Sequence, residues 1–136
     1  MPNRRRYRKI TMPPSMEGFK PFGVPERKIG HVTLLYEEFE AIRLCDYEML
    51  TQEEASYRMH VSRPTFNRIY NNARITIAKA FVENREILIK GGTYISDDYW
   101  FKCDNCHEIM ITLKPILLCR KCNSENIYQL NMKQEK

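Results

Sequence analysis

Apolar and polar positions along the chain change period several times, and each change marks an element. Leu35, Phe39, Ile42 and Cys45 recur at helical spacing, which predicts a helix over residues 35–46 with Glu37, Glu38, Glu40 and Arg43 mostly facing solvent. Thr51-Gln52-Glu53-Glu54 has the form of a capping box and predicts a second, short helix ending near Met59. Ser62 is a good N-cap, and Pro64 is tolerated in the first turn after it. A third helix is therefore expected from Arg63 to about Phe81. It buries Phe66, Ile69, Tyr70, Ala73, Ile77 and Phe81, and presents Arg63, Asn67, Arg68, Asn71 and Arg74 on the opposite face.

Flanking segments follow other patterns. Ile87-Leu88-Ile89-Lys90 is a short β-like run stopped by Gly91-Gly92, and it can pair with His31-Val32-Thr33-Leu34. Residues 1–30 hold five of the seven prolines and three of the five glycines, as an extended, partly disordered arm would. The expected organisation is a basic arm over 1–30, a helical domain over 31–92 and a small third segment over 93–136. The expected fold class is mainly α: a helix-turn-helix domain with a short β-pair, plus a small β zinc ribbon.

The ribbon rests on four of the five cysteines. Cys103-x-x-Cys106 and Cys119-x-x-Cys122 stand twelve residues apart, a spacing with which four thiolates surround one Zn²⁺ tetrahedrally. Residues 109–118, turning at Lys114-Pro115, suit a hairpin, and residues 126–130 suit a further strand. An iron site fits less well, because His107 and Asn123 follow the second cysteine of each pair where iron knuckles favour glycine. His107 itself reads as a surface residue, and Cys45 as a small apolar core residue. A zinc site made of four cysteines is closed to substrate, which points to a structural role.

Charge sharpens the functional reading. The formal net charge is only +5, but residues 1–30 carry eight Lys/Arg against two Glu. Residues 55–82 carry five basic residues and no acid. A polyanionic partner and a merely solvated surface both account for charge alone. Two short helices joined by a tight turn, the second basic on its outer face, favour duplex DNA. Ala55-Ser56 supplies the small residues where the helices cross, and His60 stands in the turn, where positive φ is needed. Arg63, Thr65 and Asn67 lie at the N-terminal end of the third helix, which usually reaches base edges; Arg68, Asn71 and Arg74 follow. Arg4, Arg5 and Arg6 suit phosphate contacts. No apolar run approaches a membrane span and no secretory signal is evident, so the expected location is the cytoplasm.

Several separate motifs resemble one family. They are Phe19-Lys20-Pro21-Phe22-Gly23-Val24-Pro25, the run from Glu38 to Asp46, Gln52-Glu53-Glu54-Ala55, Val61-Ser62-Arg63-Pro64-Thr65-Phe66, and Gly91-Gly92. Together they are similar to the prokaryotic DUF134 (UPF0251) family of predicted DNA-binding proteins, over roughly residues 1–92. The resemblance implies a helix-turn-helix like the fourth region of sigma factors, and DNA binding. Here His60 replaces the usual turn glycine, and Ser56 stands at the usual alanine position.

The expected function is thus a DNA-binding transcriptional regulator that reads duplex DNA with its third helix. Its partners would be double-stranded DNA, with a homo-oligomer and the transcription machinery as further candidates, and it would carry one structural zinc. A zinc-ribbon protein-interaction module and an RNA-binding accessory factor are the alternatives. An enzyme is not expected, for lack of a nucleophile–base pair, a phosphate loop or an open metal site.

Overall fold

A computed structural model describes residues 8–25, 30–92 and 94–131. The chain divides into two compact units, Met1–Ile10 with Met16–Tyr94, and Thr11–Ser15 with Ile95–Lys136. In chain order the elements are β1 (Arg8–Lys9), β2 (Gly18–Phe19), β3 (His31–Leu34), α1 (Tyr36–Ile42), α2 (Gln52–Arg58), α3 (Arg63–Glu83), β4 (Glu86–Ile89), β5 (Tyr94–Ile95), β6 (Tyr99–Cys103), β7 (Ile109–Thr112) and β8 (Ile127–Gln129). A π-helical turn over Arg43–Tyr47 prolongs α1.

The expectation of a mainly α chain is overturned. Strand makes up 21% of the structure beside 34% helix, and the fold is α/β. Each unit holds a three-stranded sheet, in the orders β2-β4-β3 and β7-β6-β8. Four strands escaped the periodicity argument for physical reasons. The two-residue strands β1, β2 and β5 are too short to show a period. In β6, four consecutive residues from Trp100 to Cys103 are buried, so its apolar and polar positions do not alternate.

In the first unit β3 and β4 are parallel, with His31 opposite Glu86 and Leu34 opposite Ile89. The helices α1, α2 and α3 make the crossover between them, as a parallel pair requires. Gly18–Phe19 runs antiparallel on the other edge of β4. There a Cβ on Gly18 would lie 1.9 Å from the Ile87 carbonyl oxygen, so only glycine fits.

Two apolar clusters hold this unit. One joins Ala41, Leu44, Ala55, Met59, Phe66, Ile69 and Tyr70; the other joins Leu34, Ala73, Ala80, Ile87 and Ile89. Both expected caps form. The Glu54 amide donates to Thr51 Oγ1 at 3.1 Å, and the Thr65 amide donates to Ser62 Oγ at 3.3 Å. At the crossing of α2 and α3, Ala55 and Ser56 are buried. His60 takes φ of 56°, as its place in the turn demanded.

Some side chains depart from the predicted faces. Glu37, Glu38 and Glu40 are buried, although helical spacing assigned them to solvent. Each has a polar partner, remote in sequence for Glu37 and three residues away for Glu38 and Glu40. Glu38 accepts from the Leu35 amide, Glu37 lies 3.6 Å from Arg8, and Glu40 receives two bonds from the Arg43 guanidinium. Phe81 is exposed and Ala80 is buried in its stead, so the core-facing stripe of α3 shifts at its last turn.

In the second unit, β6 is the central strand and pairs antiparallel with both β7 and β8. The hairpin expected within residues 109–118 does not form, because β7 finds its partner upstream in β6. Among the described residues, no helix is long and apolar enough to cross a membrane.

Candidate nucleic-acid interface and metal centre

The rotation of α3 is set by what it buries. Phe66 and Ile69 enter the core, and Tyr70 stacks near Phe66 at 5.9 Å between ring centroids. The Tyr70 hydroxyl donates to Asp46 Oδ1 at 2.8 Å, which pins the helix to the π turn. Arg63, Asn67, Arg68, Asn71 and Arg74 are consequently exposed, and Thr65 is half-buried.

These side chains are organised among themselves. Thr65 Oγ1 accepts from Ser62 Oγ at 3.0 Å and from Arg68 Nη2 at 3.1 Å. Asn71 Nδ2 donates to Asn67 Oδ1 at 2.7 Å, one turn apart. The Arg74 guanidinium lies 5.5 Å from the centre of the Tyr70 ring, a cation–π distance. Before Glu83, α3 contains no acid to pair with Arg63, Arg68 or Arg74. Arg4, Arg5 and Arg6, expected to meet phosphates, lie outside the described residues.

In the second unit Cys103, Cys106, Cys119 and Cys122 converge, with all four sulfurs within 4.8 Å of one another. Cys103 Sγ is 3.6 Å from Cys122 Sγ, and Cys106 Sγ is 3.6 Å from Cys119 Sγ. These separations far exceed a disulfide bond of about 2.05 Å. They match the sulfur–sulfur edge of about 3.8 Å implied by tetrahedral Zn–S bonds of about 2.3 Å. The four thiols could hold a metal ion.

Backbone geometry builds both knuckles. The His107 amide donates to the Cys103 carbonyl and the Asn123 amide to the Cys119 carbonyl. His107 and Asn123 both sit in the left-handed region, at φ of 65° and 61°. These are the positions where the sequence lacked glycine, and Asn and His are among the residues that bear that conformation best after glycine. Amides also point at sulfur: those of Cys106, Lys121 and Cys122 donate to Cys103 or Cys119 Sγ at 3.4–3.5 Å.

Asn105 adds a contact that spacing did not announce, its Nδ2 donating to Cys122 Sγ at 3.5 Å. That amide first, and the Ser124 backbone second, pull the Cys122 thiol down to about 6. Cys106 is pushed up to about 12: the Glu108 backbone N–H favours its thiolate, but burial and the three neighbouring thiols outweigh it. Cys45, by contrast, has its thiol raised by burial and then by Asp46, and packs against the apolar core.

Comparison with known proteins agrees with the motif pattern. Residues 1–97 match the family model described as protein of unknown function DUF134. A UPF0251 protein of Methanothermobacter thermautotrophicus is 43% identical over 128 residues, covering 93% of this chain and 67% of its own. One from Chloroherpeton thalassium is 36% identical over 134 residues, covering 97% and 89%. Another, from Halothermothrix orenii, is 46% identical over 99 residues, 73% of each chain. No solved structure matches.

Proposed function

The chain belongs to the DUF134 family, and from this premise we propose that it is a duplex-DNA-binding protein of the transcription-regulator kind, not an enzyme. One observation carries the reading. Phe66, Ile69 and Tyr70 are fixed in the core, so Arg63, Asn67, Arg68 and Asn71 stand together on the solvent face of a 21-residue helix. A helix of this diameter fits the major groove. Arginine recognises the guanine edge or a phosphate, and asparagine the adenine edge. The Asn67–Asn71 and Thr65–Arg68 hydrogen bonds limit the rotamers these side chains must surrender on binding.

Zn²⁺ is the proposed ion for the four-cysteine centre. The four thiolates would hold it, and their closed tetrahedron leaves no position for water or substrate. Its role is then to fold a unit too small to rely on an apolar core alone.

A second reading draws on the same unit. Leu113, Leu117 and Leu118 are exposed between the two knuckles, which favours a protein partner docking on the metal-bound unit. The two readings are compatible and separable. Selection of genomic duplex fragments by the purified protein tests the first: enrichment of a common site supports it, and recovery of unenriched fragments contradicts it.

A further inference from the structure

In the first unit, α1, α3 and the β2-β4-β3 sheet line a cavity of about 500 Å³ that opens to solvent. Pockets that hold small molecules range over roughly 300–1,000 Å³. Its inner wall is apolar, with Phe39 from α1, Ile77 and Ala80 from α3, and Ile89 from β4. Where the lining reaches solvent its chemistry is mixed, with Phe19 and Phe81 exposed beside polar groups. Lys20 and Asn84 are exposed, Arg85 is half-exposed, and none of the described lining residues is acidic. The Arg85 Nε donates to Glu83 Oε1 at 2.7 Å, which steadies the guanidinium and leaves its other N–H groups as donors.

These two features select a ligand class. An apolar guest would restore dispersion contacts that an open cavity denies its lining. A neutral hydrocarbon would make no use of Lys20 and Arg85, whereas a carboxylate offers either of them a charge-assisted hydrogen bond. We propose that this cavity binds a small apolar carboxylate, its hydrocarbon body against Phe39, Ile77, Ala80 and Ile89 and its carboxylate at Lys20 or Arg85. The inference does not depend on DNA reading. It does put the ligand against the same helix that carries Asn67 and Asn71, so that a ligand-dependent change in α3 would be felt on that face.

The test titrates the full-length, metal-loaded protein with decanoate and, in parallel, with decanol, by isothermal calorimetry. Saturable binding of one decanoate per chain is expected, with decanol weaker by about ten-fold or more, the effect of losing one charge-assisted contact. Lys20→Gln combined with Arg85→Gln should bring decanoate down to the affinity of decanol. Ala80→Leu, which fills the cavity, should abolish binding of both. Lys20 and Arg85 lie at the surface, so the double variant keeps the test readable if Ala80→Leu fails to fold. Absence of saturable decanoate binding at millimolar concentration would overturn the proposal, as would equal binding of the acid and the alcohol. A concentration-dependent dimer in sedimentation that Ala80→Leu dissociates would also overturn it, by showing a second copy as the occupant.

Discussion

The Tyr70 hydroxyl donates a 2.8 Å hydrogen bond to Asp46 Oδ1 across 24 residues of sequence. It links the middle of α3 to the π turn that ends the first helical stretch, and thereby fixes which face of α3 meets solvent. Arg74 then lies over the ring of the same tyrosine. Tyr70→Phe removes the bond and keeps the ring. It should cost about 0.5–1.5 kcal/mol of stability in urea denaturation. Loss of a comparable amount in Asp46→Ala, which removes the acceptor, with no further loss in the double variant would confirm that the pair acts as a unit.

Chelation of the metal should unfold one unit and spare the other. Trp100 is the sole tryptophan and is fully buried in β6, the central strand of the unit that holds the four cysteines. Its fluorescence should shift to the red on chelation, or in Cys119→Ser, while helical circular dichroism from α1, α2 and α3 persists. An unshifted Trp100 emission in metal-free protein would contradict a structural metal.

His60 holds φ of 56° in the turn between α2 and α3. Glycine adopts this conformation without a Cβ penalty, and for an ordinary L-residue the left-handed cost is roughly 1–2 kcal/mol, less for histidine. His60→Gly should therefore raise stability by up to about 1 kcal/mol, and His60→Val should lower it. A destabilised glycine variant would mean that the imidazole makes a contact of its own.

Glu38 gives the account a pH dependence. Burial raises its carboxyl above 4.5; the Leu35 amide partly opposes this, and Glu37 adds to it. An acid whose folded value is raised binds its proton more tightly in the folded state. Its contribution is therefore most favourable at low pH, and declines as pH climbs from 4.5 through the raised value. Glu38→Gln keeps an oxygen for the Leu35 amide and removes the charge. Chemical denaturation at several pH values should show the variant gaining on the wild type as pH rises across that window, and the difference levelling above it. A constant difference would place the charged carboxylate in solvent.

How far the sequence announced this architecture differs by element. Caps are local, so Thr51 with Glu54 and Ser62 with Thr65 were legible from spacing alone. The same holds for the inward set Phe66, Ile69, Tyr70 and Ala73, and for the four cysteines, whose ligand geometry is largely carried by two C-x-x-C turns. Burial of Glu37, Glu38 and Glu40 was not legible, because it depends on Arg8, on Arg43 and on a backbone amide. Of these partners only Arg8 is remote in sequence; the Leu35 amide and Arg43 lie three residues from Glu38 and Glu40, but an apolar–polar period does not register pairing between polar groups. The strand content was underestimated for a related reason: Gly18–Phe19 is a strand only because β4 offers it an edge. Asn105 lies within the first cysteine pair and is oriented toward Cys122 by the approach of the second, a long-range event.

The central claim is that α3 reads bases, and the most direct measurement is competition between a selected duplex site and its single-base variants. It is made with Arg63→Ala, Asn67→Ala and Arg68→Ala proteins, each first shown to be folded. A lost bidentate contact should remove roughly 1–3 kcal/mol of discrimination at one or two base positions, leaving non-specific binding nearly intact. Arg74→Ala should instead weaken binding evenly across sequences, as loss of a phosphate contact does. If Arg63, Asn67 and Arg68 can all be replaced in a folded protein with affinity and sequence preference unchanged, α3 is not the reader.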